Sequence, residues 1–95
     1  MIERHVTFDV LSDHTATFEQ FFVQEYRPAM SRIPGFIKVE LLREQDSPNL
    51  FQMVIRFESS QAAAAWRASP EHQALSPKLK ALYSSSQLKV FEVIA

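Results

Sequence analysis

The sequence predicts an α+β fold in which two helical segments separate four strands. Four stretches alternate apolar and polar residues with the period of two that a half-buried strand requires. Two other stretches repeat their apolar residues at intervals of three or four, as an amphipathic helix does. No linker, repeat or low-complexity tract interrupts the 95 residues, so we expect one domain over residues 1–95.

A change of period predicts the first strand and the first helix. Residues 2–11 alternate, with Val6, Phe8 and Val10 on one face. After these, candidate caps precede apolar residues at helical spacing. Pro28 is expected to bend this helix because it lacks an amide N–H. The candidate caps are Ser12, Asp13 and Thr15, the stripe comprises Phe18, Phe21, Phe22, Tyr26, Met30 and Ile33, and Pro34-Gly35 ends the helix.

Two further strands surround a polar turn. In residues 36–43 the alternation places Ile37, Val39 and Leu41 together, opposite Lys38 and Glu40. Residues 44–49 include proline and asparagine and are predicted to form the turn. Residues 50–58 alternate again, and their predicted core-facing residues are Phe51, Met53, Ile55 and Phe57.

A serine–proline pair divides the second helical segment. Ser59 or Ser60 is expected to cap an alanine-rich helix that runs to Trp66. Ser69 and Pro70 then begin another helix, since proline is tolerated in a first turn. Its apolar stripe comprises Leu75, Leu79 and Leu82, continuing to Tyr83. After Ser84-Ser85-Ser86, residues 87–94 are expected to form the last strand.

The predicted order, βαββαβ, is that of the ferredoxin-like fold, with a four-stranded antiparallel sheet and two helices on one face. The other face of this sheet mixes polar side chains with Leu42, Val54 and Phe91. Apolar surface of this kind needs a cover, and a second copy of the sheet would provide it. We therefore expect a homodimer that forms through the open sheet face.

Composition excludes several classes of function. Without cysteine the chain has no disulfide, thiol nucleophile, iron–sulfur cluster or thiolate zinc site. A single glycine excludes glycine-rich phosphate loops. The net charge of −1, without a cluster of one sign, argues against nucleic-acid or anionic-membrane partners. With neither a signal-peptide pattern nor an apolar span, we expect a cytoplasmic protein. The three histidines lack ligand spacing, so no metal is expected.

Trp66 and His72 are the main candidates for chemistry. They lie six positions apart across the break between two helices and could flank one pocket. His72 falls in the first turn of a helix, whose dipole disfavours its protonation. A neutral imidazole could accept a proton from a phenol. The alternatives are a tryptophan that only packs on the sheet and an exposed histidine at a helix end.

Tyr26 is the third candidate, because a proline bend often shapes a cavity and a phenol at its wall could hydrogen-bond a hydroxylated substrate. The alternative is a core tyrosine with its hydroxyl at the rim. Phe22, one turn earlier, is a core residue by default and a candidate pocket residue beside it. His5 shares the polar face of the first strand with Thr7. It could pair there with a side chain of a neighbouring strand, inside a dimer interface. His14 is most simply a solvated turn residue.

Order and motifs together resemble the antibiotic biosynthesis monooxygenase superfamily over nearly the whole chain. The motifs are Ile33-Pro34-Gly35-Phe36, the strand that runs into Glu58-Ser59, Ala65-Trp66, and Ser69-Pro70-Glu71-His72. The resemblance implies a dimeric α+β barrel with a pocket between sheet and helices in each subunit. Its characterised members include cofactor-independent oxygenases that act on phenolic or quinol-type aromatics, and enzymes that degrade haem.

By this resemblance, Trp66 matches a tryptophan that several members place against the substrate, and His72 matches a histidine common in the Ser-Pro-x-His stretch that follows it. Thr7 matches the pocket position of the first strand. Haem degraders carry an asparagine there and a histidine beyond the tryptophan, where this chain has Thr7 and Ser76. The expected function is therefore a monooxygenase without a cofactor. The alternative is a non-catalytic dimeric module of the same fold that binds a small molecule or only a partner subunit.

Overall fold

The computed structural model describes residues 1–95. Four strands form one antiparallel sheet in the order β2-β3-β1-β4. They are β1 (Ile2–Val10), β2 (Phe36–Arg43), β3 (Leu50–Phe57) and β4 (Tyr83–Glu92). The segment between β1 and β2 contains a 3₁₀ turn (Ser12–His14), α1 (Thr15–Phe21), a π-helical turn (Phe22–Tyr26) and α2 (Arg27–Ser31). The segment between β3 and β4 contains α3 (Ser60–Ala68) and α4 (Pro70–Lys80). This is the predicted ferredoxin-like α+β fold.

The core lies between the sheet and the helices. Every second residue of β3 points into it, and the four are almost completely buried: Phe51, Met53, Ile55 and Phe57. From β1, Phe8 and Val10 join them, and the largest helical contributions come from Phe18, Met30 and Trp66. The period-two prediction for β1 and β3 is confirmed. None of the helices is long and apolar enough to cross a membrane.

Two strand predictions are wrong in part. In β2 the pairing with β3 shifts between Phe36 and Lys38, so Ile37 is an extra residue at a bulge. Phe36 packs against the core in its place, and Ile37 is exposed. The last strand begins at Tyr83 rather than at residue 87, because Ser85 and Ser86 pair with Asp9 and Phe8 of β1.

The first helical segment differs from a regular helix at both the start and the middle. Neither Ser12, Asp13 nor Thr15 caps α1 with its side chain, and a 3₁₀ turn leads into the helix instead. Near the middle, the amide of Arg27 donates to the carbonyl of Phe22, five residues back. Pro28 follows at once and has no amide N–H to continue the α-helical pattern. The predicted irregularity at Pro28 is therefore a π-helical turn that ends at Tyr26.

The caps predicted for the second helical segment are confirmed. The hydroxyl of Ser59 accepts a hydrogen bond from the amide of Ala62, at 3.1 Å, and begins α3. Ser69 ends α3 and begins α4, with Pro70 in the first helical position. Its hydroxyl donates to the carbonyl of Trp66 at 2.7 Å and accepts from the amide of His72 at 3.1 Å. One buried serine thus fixes where Trp66 and His72 lie relative to each other.

Candidate functional site

A cavity of about 260 Å³ lies between the sheet and the helices. Its sheet wall is formed by alternate residues of two central strands, Arg4, Val6 and Phe8 from β1 and Met53 and Ile55 from β3. The helical wall comprises Tyr26, Trp66, Arg67, His72, Ser76, Leu79 and Lys80, and the start of β4 adds Tyr83 and Ser86. The volume is below the usual range of drug-sized sites, about 300–1,000 Å³, and suits one or two aromatic rings.

Three of these side chains form a cluster of rings. The His72 imidazole lies edge-on to the Trp66 indole, with 5.0 Å between ring centres and 80° between planes. The Tyr26 phenol lies 5.4 Å from the indole at 84° and 6.4 Å from the imidazole. Trp66 and Tyr26 are buried, whereas His72 is half-buried. The indole therefore supports two polar rings that both line the cavity.

The surroundings favour neutral forms of both titratable rings. Burial lowers the pKa of His72, and the nearby guanidinium groups of Arg4 and Arg67 lower it further because they repel an imidazolium. Burial also raises the pKa of the Tyr26 phenol, against smaller opposing effects of the Trp66 indole and Arg4. At neutral pH the cavity thus presents an imidazole that can accept a proton and a phenol that can donate a hydrogen bond.

The sequence-predicted pocket residues divide between two faces of the sheet. Trp66, His72 and Tyr26 meet at the cavity, and Ser76 lines it too. Thr7 does not, because it alternates with Phe8 and points to the open face, so the prediction of Thr7 as a pocket residue is corrected to Phe8.

Phe22 also lies outside the cavity. It is 2% exposed and lines a separate shallow groove with Leu41, Leu42 and Phe51. The Arg27 guanidinium covers its ring, 5.5 Å from the ring centre. The prediction of Phe22 as a core residue describes this position. The prediction that Phe22 lines the same pocket as Tyr26 is corrected, because Phe22 does not line the cavity.

Arg4 is the cavity residue that the sequence interpretation missed. Its position in β1 has the same parity as Val6 and Phe8, so its side chain points toward the helices rather than to the open face. A charged residue on the apolar side of an alternating strand was the signal that could have identified it. Arg67 and Lys80, both exposed, join it at the cavity.

The remaining histidines lie elsewhere. On the open face, His5 contacts the Glu3 carboxylate at 2.8 Å through Nε2, and Arg56 donates to the same carboxylate at 2.9 Å through Nε. The His5 ring also packs on Phe91, 4.7 Å between centres. His14 lies in the 3₁₀ turn before α1. No three His, Asp or Glu side chains cluster in a way that could hold a metal ion.

Comparisons with known proteins agree with this architecture. The sequence profile of the family described as antibiotic biosynthesis monooxygenase matches residues 1–78. SnoaB from Streptomyces nogalater, a cofactor-independent oxygenase, is 26% identical, with a TM-score of 0.89 over 99% of this chain and 93% of its own.

Two more distant structures share the fold. A protein from Nitrosomonas europaea, provisionally assigned to the same family, is 17% identical, with a TM-score of 0.88 over 100% of both chains. A conserved protein from Methanosarcina mazei is 12% identical, with a TM-score of 0.86 over 95% of this chain and 89% of its own. Among proteins with curated descriptions, no sequence matches the chain.

Proposed function

Because this chain belongs to the antibiotic biosynthesis monooxygenase family, we propose that it is a cofactor-independent monooxygenase acting on a small phenolic or quinol-type aromatic with O₂. The observation that supports this most directly is the neutral, half-buried His72 beside Trp66 at a cavity of aromatic size. SnoaB, a cofactor-independent oxygenase, shares the fold over nearly the full length of both chains.

The proposed reaction begins with proton transfer. The imidazole of His72 accepts the proton of the substrate hydroxyl, which leaves an electron-rich phenolate in the cavity. The phenolate transfers an electron to O₂, and the two radicals combine at a ring carbon that bears hydrogen ortho or para to the hydroxyl. The resulting peroxide anion takes the proton back from the His72 imidazolium to give a hydroperoxide. Loss of water then gives a quinone. One oxygen atom of O₂ enters the product and the other leaves in water, so a phenol, catechol or quinol with such a ring C–H supplies all the electrons.

The protein contributes position and environment. Trp66 and Phe8 would hold the ring of the substrate between helix and sheet, and the Tyr26 hydroxyl would orient a substrate oxygen. The apolar wall of Val6, Met53 and Ile55 would exclude water from the phenolate. A non-catalytic module that binds only a partner subunit is supported less well, because a mere packing core would have filled this space with Phe and Met side chains. A module that binds a small molecule would use the same cavity but would have no need of a neutral imidazole as base.

Oxygen uptake without added cofactor tests the proposal. Wild type is assayed with 1-naphthol and a panel of catechols and quinols, beside His72→Ala and Trp66→Phe. His14→Ala is the matched control, because it removes a histidine outside the cavity. We expect uptake above the uncatalysed rate that falls on the order of a hundredfold in His72→Ala and is unchanged in His14→Ala. Absence of uptake across the panel would favour the binding module, and equal uptake in both histidine variants would remove His72 from the mechanism.

We also propose that the chain forms a homodimer through its open sheet face. Leu42 on β2 and Phe91 on β4 are 46% and 45% exposed there. Val54 lies between these two edge strands, on β3. Several charged residues of this face are already paired, since Glu3 binds both His5 and Arg56, and the Lys38 ammonium lies 3.9 Å from the Glu40 carboxylate. A second sheet would therefore cover apolar surface without leaving these charges unpaired.

A further inference from the structure

We propose that the cavity selects aromatic molecules that bear a carboxylate, and that Arg4 is the residue that binds this group. The inference rests on the proposed function for the identity of the site and deepens it by naming the class of substrate. It is carried by the position of Arg4, by its lack of any partner within the protein, and by the charges around it.

Arg4 lies at the sheet wall of the cavity without an anion beside it. Its neighbours across the sheet are Ile55 on β3 and Val90 on β4, both apolar. The side chain is half-buried and belongs to none of the ion pairs of the structure. A guanidinium that is removed from water without a counter-charge is destabilising, unless something else supplies that charge.

The cavity as a whole has an excess of positive charge. Arg4, Arg67 and Lys80 line it, and no aspartate or glutamate does. Glu25 pairs with Lys78 at 3.1 Å, and Glu3 lies on the opposite face with Arg56, so neither provides a counter-charge in the cavity. Consistent with this balance, burial lowers the pKa of Arg4, and repulsion by Arg67 lowers it further. An anionic ligand would provide the missing counter-charge.

A carboxylate fits this arrangement well. Its two oxygens match the two parallel N–H donors of a guanidinium, which an ammonium group cannot reproduce. The apolar wall and the Trp66 ring suit the aromatic part of such a molecule. The volume of the cavity limits that part to one or two rings. Arg67 and Lys80 are more exposed than Arg4. We therefore assign to Arg67 and Lys80 the attraction of the anion toward the cavity, and to Arg4 the direct contact with it.

Calorimetry with two isosteric probes tests the inference. The probes are 6-hydroxy-2-naphthoate and its neutral primary amide, titrated at about pH 7.5 without oxygen. The proteins are wild type, Arg4→Met, which removes the charge at similar length, and Arg4→Lys. Arg43→Met is the matched control, because that arginine is exposed and pairs with Glu19 outside the cavity. The only tryptophan, Trp66, gives one indole N–H signal in an NMR spectrum and reports that binding occurs in the cavity.

We expect wild type and Arg43→Met to bind the carboxylate at least about tenfold more tightly than the amide. Arg4→Met should lose this preference while still binding the amide as wild type does, and Arg4→Lys should keep part of it. Equal binding of the two probes by wild type, a preference that survives in Arg4→Met, or no shift of the indole signal would each overturn the inference. Because oxygen is absent, a failure of the oxygenase reaction leaves these results intact, so the two proposals fail separately.

Discussion

The imidazole of His72 lies edge-on to the indole of Trp66, and a single hydroxyl between their backbones sets this arrangement. Ser69 donates to the carbonyl of Trp66 and accepts from the amide of His72, and it is only 7% exposed. The break between α3 and α4 thus serves two purposes. It ends one helix and begins another, and it turns two rings toward the same cavity.

Replacement of Ser69 by alanine should therefore affect both stability and the site. We expect a loss of about 1–2 kcal/mol in the free energy of unfolding, since a helix cap and a buried hydrogen bond are removed. Substrate turnover or probe affinity should fall as well, because His72 is no longer held against Trp66. Ser59→Ala is the matched control, because it removes the cap of α3 at the end far from His72. Urea unfolding should give a smaller loss for Ser59→Ala, which removes a cap bond alone. Equal loss of binding in both variants would contradict the role assigned to Ser69.

The sequence predicted the elements whose side chains alternate between two different environments. The predicted bounds of β3 agree with the structure to within one residue, because every second residue of this strand enters the core and each intervening residue does not. β4 is an edge strand of which only Tyr83 is half-buried, so its first residues carry no apolar pattern. Ser85 and Ser86 belong to the strand because they pair with Asp9 and Phe8 of β1, and Ser84 is the extra residue where the register shifts before Tyr83. Such backbone pairing leaves little trace in side-chain character.

The candidate site was predictable where local signals fix it. The caps at Ser59 and Ser69 placed Trp66 and His72 near one another, since capping depends on residues a few positions apart. Thr7 was misassigned because a match to a family position does not determine which face of a strand a residue takes. The alternation of β1 does determine it, and the same alternation points Arg4 into the cavity.

Gly35 should not tolerate a side chain. It joins α2 to β2 with a φ of +87°, and a Cβ placed there would lie 2.6 Å from the Cβ of Ala62. We expect Gly35→Ala to lower the free energy of unfolding by about 2–4 kcal/mol, from backbone strain and steric overlap together. Addition of Ala62→Gly removes the overlap and should recover part of the loss in urea unfolding. A loss below about 0.5 kcal/mol would mean that the turn can rearrange.

The proposed dimer predicts a mass of twice that of the chain in light scattering at micromolar concentration. Phe91→Glu should shift the population toward monomer, because it replaces an exposed aromatic ring on edge strand β4 by a charge that the partner sheet would have to bury. Val23→Glu is the control, since Val23 is similarly exposed, at 48%, but lies on the helical side. A folded wild-type monomer under these conditions would overturn the proposal, as would equal dissociation of both variants.

The lowered pKa of His72 predicts the direction in which acid affects stability. Below its ordinary pKa, near 6.5, the unfolded state binds a proton that the folded state resists, so the unfolded state binds more protons in this range. The free energy of unfolding should therefore fall as the pH drops through 6.5 and below, and rise again with pH. His72→Gln should show a shallower dependence between pH 7.5 and 5.5 in urea unfolding. Equal slopes for the two proteins would contradict the lowered pKa.

An NMR titration of the imidazole C–H signals tests the same feature directly and separates its causes. His72 should titrate below pH 6.5, because burial and the positive charges of Arg4 and Arg67 both disfavour the imidazolium. Arg4→Met removes one of these charges and should raise the midpoint, whereas Arg43→Met, outside the cavity, should leave it unchanged. If the midpoint lay at or above 6.5, the imidazole would be partly protonated near neutral pH. His72 would then be a weaker candidate for the base that accepts the substrate proton.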